Sequence, residues 1–189
     1  MKYTMKTILA VTLAVSISAA FAHPGHRAEG GFAAGFLHPI GGLDHILAML
    51  AVGLWAATFE GKARWILPAA FISMMAIGFF FGLNTGTIAM TEQGIAASVL
   101  VIGLAAAWLQ RLPITAAAAM VGAFALFHGL AHGAETSGEA IGFATGFVIS
   151  TAILHAAGFL AGAVLRQNVW MTRSLGTAIG SFGLYLLLA

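Results

Sequence analysis

The sequence predicts an all-α, polytopic membrane protein, a bundle of six transmembrane helices behind a cleaved signal peptide. Three observations predict it. Of 189 residues, 60% are hydrophobic and only 7% charged, against roughly 25% charged in ordinary globular chains. Six apolar stretches of about 20 residues, the length that crosses a bilayer, fit the chain with short loops and leave no room for a soluble domain. Lys and Arg also fall in alternate loops, the charge pattern of a chain that weaves through a membrane.

The N-terminus has its own logic. Lys2 and Lys6 form a basic region, Thr7 to Ser18 a short apolar one, and Ala20-Phe21-Ala22 a small-x-small cleavage site. Residues 1–22 are therefore expected to be a signal peptide and 23–189 a single six-helix domain; the alternative is an uncleaved first helix. Cleavage after Ala22 places the mature N-terminus outside the cytoplasmic membrane. It would also expose His23-Pro24-Gly25-His26, whose amine and two imidazoles suit weak cation binding, or which is simply a polar tail.

The six apolar segments run over about 36–58, 65–84, 94–110, 113–134, 140–165 and 170–188. Pro113 suits the first turn of the fourth helix, where its missing N–H costs nothing. Thr136 and Ser137 are candidate caps for the fifth. Lys62 and Arg64, Arg111, and Arg166 and Arg173 occupy the first, third and fifth loops. The second and fourth contain only acids, Glu92, Glu135 and Glu139. Positive residues mark the cytoplasmic side, so the odd loops are expected inside and both mature termini outside. The 24 glycines include Gly129-x3-Gly133, Gly142-x3-Gly146 and Gly158-x3-Gly162, the spacing that lets helix backbones approach closely in lipid.

No cysteine is present, which excludes disulfides and thiolate metal sites. No basic run suggests nucleic acid. What the apolar segments do contain is imidazole and carboxylate, and such groups within a membrane are functional candidates by default. On the fourth segment His128 and His132 are four apart and share a helix face about 6 Å apart, with Glu135 continuing the stripe. Two imidazoles one turn apart can chelate one divalent ion. On the first, His38 and His45 are seven apart, about 10 Å on a straight helix, with Asp44 pointing about 100° away. One ion cannot take all three from an unbroken helix, so either Pro39, Gly41 and Gly42 break it or His38 is an entry ligand ahead of Asp44 and His45. Met49 offers a thioether or packs. His155, deeper in the fifth segment with Thr151 one turn before it, is a partner to the ligands, a later station on an inward path, or a structural histidine. Both clusters sit near the outer ends of their helices and are expected to face one cavity.

His38-Pro-x-x-Gly-x-Asp44-His45 and Phe127-His128-Gly-x-Ala-His132-Gly-x-Glu135 resemble the two signature motifs of the HupE/UreJ family of nickel permeases. The resemblance covers the whole mature chain. It implies import of Ni²⁺, and also of Co²⁺, for hydrogenase or urease maturation, as transported substrate rather than catalytic cofactor. It also implies functional roles for His38, Asp44, His45, His128, His132 and Glu135. A broader nickel–cobalt transporter family is similar more loosely, with a shorter gap between its histidine and aspartate. Imidazole-rich, thiol-free sites suit Ni²⁺, Co²⁺ or Zn²⁺, and no G-x-x-x-x-G-K-[ST] sequence provides for ATP. The expected protein is therefore not an enzyme. The rival readings are an intramembrane zinc hydrolase, for which Gly129 stands where His-Glu-x-x-His would place its glutamate, and a metal sensor that does not transport.

Overall fold

The computed structural model describes residues 31–86, 88–108 and 112–189. The signal-peptide reading of residues 1–22, and His23, His26 and Arg111, lie outside them. No strand forms among the described residues, and each predicted apolar segment is mostly helix where it is described.

The first segment is two helices, α1 (Phe32–Gly41) and α2 (Leu43–Ala56), bent by 84° at Gly42. Pro39 has no N–H to extend the ladder, glycine is a weak helix former, and Gly42 takes extended backbone with φ −111° and ψ 125°. A 3₁₀ turn at Gly61–Trp65 leads into α3 (Ile66–Thr85). Then come α4 (Thr91–Ala107), α5 (Ile114–Glu135), α6 (Ala140–Leu165) and α7 (Val169–Leu188). Among the described residues, three helical stretches are long and apolar enough to cross a membrane, Gly61–Thr85, α5 and α6. The bent α1–α2 pair makes a fourth, and α4 is a shorter apolar helix.

The expected caps are corrected. Glu139, not Thr136 or Ser137, caps α6, its carboxylate accepting from the Gly142 N–H at 2.6 Å. Thr136 is instead the C-cap of α5, its hydroxyl donating to the His132 carbonyl at 2.5 Å. The reason is that α5 runs to Glu135, so Thr136 belongs to the end of one helix rather than the start of the next.

The helices associate as α3 with α5, α4 with α7, and the broken α1–α2 with α6. Small residues make these contacts possible. A Cβ on Gly129 or Gly133 would overlap the Met75 or Phe79 carbonyl of α3, and one on Gly158 the Leu50 carbonyl of α2. Lipid offers apolar side chains as good an environment as protein does, so close backbone approach supplies the association. The centre belongs to α2, where Ala48, Met49 and every residue from Ala51 to Ala56 are buried, the pattern of a helix surrounded by others. Met49 is fully buried in this core, and packing accounts for it. Large apolar side chains such as Phe80, Ile141, Val164 and Leu188 cover the outside.

Candidate metal centre

The break at Gly42 turns α1 and α2 toward each other and puts His38, in the last turn of α1, near Asp44 and His45, in the first turn of α2. The rings of His38 and His45 lie 5.9 Å apart, although a straight helix would separate the residues by about 10 Å. From α5, His132 inserts between them, 4.3 Å from His38 and 4.6 Å from His45 by ring centroid. One nitrogen from each of the three lies within 4.8 Å of the others.

The orientation of His45 is fixed from behind. Its Nδ1–H donates to Asp44 Oδ1 at 2.7 Å, and its backbone N–H donates to the same oxygen at 2.8 Å. The carboxylate sits in the first turn of α2, where the helix dipole favours negative charge. With the proton on Nδ1, the Nε2 lone pair of neutral His45 points at His132 Nε2, 2.6 Å away. Two nitrogens at that distance need a proton between them, or a cation that separates them to roughly 3 Å. Carboxylate–imidazole–metal is a recurring way of fixing the tautomer and raising ligand basicity. Gly42 makes room for the pair, since a Cβ there would stand 2.6 Å from Asp44 Oδ1 and 2.9 Å from His45 Nδ1.

Phe143 and Phe147 of α6 wall the cluster, with Phe147 4.6 Å from the His132 ring and Phe143 5.6 Å from His38. His38 is half-buried, whereas His45 and His132 are buried. The cluster therefore opens toward His38 and closes inward. Such a site suits a borderline divalent cation with neutral nitrogen ligands and an adjacent carboxylate for charge.

The sequence model described as HupE / UreJ protein matches residues 10–186. The chain belongs to the HupE/UreJ family. A curated relative, Protein HupE of Rhizobium leguminosarum bv. viciae, is 46% identical over 165 residues, which cover 87% of this chain and 80% of that protein. No solved structure matches.

Within this HupE/UreJ chain the two signature motifs meet, but the residues divide differently from their spacing. His132 groups with His38 and His45. His128, one turn earlier, faces inward and pairs through Nε2 with the Ser98 hydroxyl of α4 at 2.9 Å. Its ring remains 5.1 Å from His45. Glu135 is the last residue of α5, exposed one turn beyond His132. His155 is buried deeper, its ring 5.1 Å from Phe71. Ser98 and the Phe143–Phe147 pair were not singled out in the sequence. A hydroxyl inside an apolar helix was a signal for the first, and aromatics four apart opposite a histidine motif for the second.

Proposed function

We propose that the protein is a secondary transporter, without an ATPase domain, that imports Ni²⁺ or Co²⁺ across the cytoplasmic membrane for hydrogenase or urease maturation. The observation that carries this reading is the three-imidazole cluster of His38, His45 and His132, with ligand nitrogens within 4.8 Å, assembled from a broken helix and the end of α5 inside an apolar bundle. Discontinuous helices whose ends meet at an ion site are a recurring device of secondary transporters. In this reading the α1–α2 pair is the first of six spans, α3 to α7 supply the others, and residues 1–22 are removed. Both mature termini and the mouth at His38 and Glu135 lie outside.

The ion is gathered at His38 and loses part of its water to His45 and His132 while Asp44 supplies counter-charge. His128, one turn inward of His132, lines the way in. Membrane potential, worth about 2.3 kcal/mol per elementary charge per 100 mV, favours inward movement of a cation. Binding has to be loose enough for release, which an open, three-nitrogen site with retained water allows.

The test is radiolabelled Ni²⁺ uptake into proteoliposomes holding the purified chain, beside His132→Ala and Asp44→Ala at equal abundance. The expected result is flux in the wild type that falls to background in both variants. Tight binding without flux would overturn the permease reading in favour of a sensor, and metal-dependent release of a cleavage product would favour a hydrolase.

A further inference from the structure

The ring contacts continue beyond the three-imidazole cluster. His128 lies 5.1 Å from His45 and 5.4 Å from Phe71, and Phe71 in turn lies 5.1 Å from His155. Four imidazoles and one phenyl ring thus form a succession of ring contacts from half-buried His38 through His45, His128 and Phe71 to His155. On α6, His155 is eight residues beyond Phe147, the inner of the two phenylalanines that wall the outer cluster, which is about 12 Å along the helix. It remains ten residues short of the helix end at Leu165, so it sits near mid-span.

His155 is 2% exposed, and neither Nδ1 nor Nε2 meets a hydrogen-bond partner among the described residues. An imidazole in an apolar interior with both nitrogens unpaired forgoes about 1–3 kcal/mol per unmet group, and native structures rarely keep such groups without a reason. The buried Nδ1 of His128, whose ring also borders Phe71, is likewise without one. Oxygen and sulfur donors lie alongside. Thr151 is one turn before His155 on the same face of α6, and its hydroxyl donates to the Met75 thioether of α3 at 3.8 Å. Packing explains the position of the His155 backbone, whose carbonyl a Cβ on Gly53 would overlap; it does not explain an imidazole there. A phenyl ring would fill the same space against Phe71 with no polar atom to satisfy.

We propose that His155, with Thr151 beside it, is a second station for the borderline divalent cation, inward of the His38–His45–His132 cluster and about 12 Å along α6 beyond Phe147. The cation reaches it from His128 past the edge of Phe71. The proposal rests on the transport reading for the ion's route, but its test counts bound ions. Equilibrium dialysis of the full chain in detergent against radiolabelled Ni²⁺ is expected to give two ions per wild-type chain and one in His155→Phe. His132→Ala, which leaves the inner station untouched, is expected to keep one ion, and that ion disappears in the His132→Ala/His155→Phe double variant. A wild type that holds a single ion, or a His132→Ala protein that holds none, overturns the second station whether or not His155→Phe folds. In proteoliposomes His155→Phe is expected to lower flux at least tenfold. Two ions without wild-type flux reject transport and keep the station; flux with one ion rejects the station and keeps transport.

Discussion

The α3–α5 and α4–α7 pairs are joined by the same device and hold different groups. In α3–α5, Gly78 and Gly82 meet Gly129 and Gly133, so that a Cβ on any of the four would press into the facing backbone. In α4–α7, a Cβ on Gly103 would stand 2.6 Å from the Gly180 nitrogen, and one on Gly176 2.5 Å from the Ala107 nitrogen. Neither α4 nor α7 contains histidine, whereas α5 follows each of its histidines with one of these glycines. Adjacent residues on a helix point about 100° apart. Gly129 and Gly133 therefore seat α5 on α3 while His128 and His132 face the bundle interior. Close packing is general in this protein, and the chemistry comes from what stands next to it.

Removing the chemistry while leaving the packing should have the largest effect. His45→Ala is expected to abolish Ni²⁺ flux in proteoliposomes with thermal unfolding in detergent little changed; retained flux would detach the cluster from transport. Next in size is Asp44→Asn, which removes the negative charge of the acceptor that fixes the His45 tautomer. Loss of such a partner lowers metal affinity about 10–100-fold, to be read as the Ni²⁺ Kd. An unchanged Kd would show that the carboxylate charge is not needed to hold His45 as a ligand.

Disturbing the packing itself should separate the two pairs. Gly129→Val and Gly176→Val are each expected to destabilise by about 3 kcal/mol through overlap with the facing backbone, visible as a lowered Tm. At temperatures where both remain folded, only Gly129→Val should weaken Ni²⁺ binding, because of the four helices in these two pairs only α5 holds a ligand of the cluster. Equal effects on Kd would mean that the cluster depends on the whole bundle rather than on the α3–α5 seat. Ser98→Ala, which removes the hydrogen bond from α4 to His128, is expected to cost about 1 kcal/mol of stability. The smallest change belongs to Arg173→Ala. Its guanidinium lies 5.9 Å from the Trp108 ring and 5.7 Å from Trp170, contacts worth about 0.5–1 kcal/mol, with no effect on Kd.

Helix positions were legible because lipid demands long apolar runs, and the breaks between them are chemically obvious. The segment predicted at 140–165 is α6 to the residue. The bend was legible only as an alternative. Pro39, Gly41 and Gly42 permit a break without setting its angle, and the 84° turn depends on the seat of α1 and α2 along α6. The division of the α5 histidines was not legible. Four-residue spacing puts His128 and His132 on one face, but a face contacts several neighbours, and α4 offered one of them Ser98.

Composition, segment length and the two histidine motifs were thus enough to establish a helical membrane protein and its family, since each is a local property that the solvent or the residue type imposes. Which imidazoles share a centre was decided by the tertiary fold. That choice depends on distances between residues as far apart in sequence as His38 and His132, and only the packing of α1, α2, α5 and α6 sets those distances.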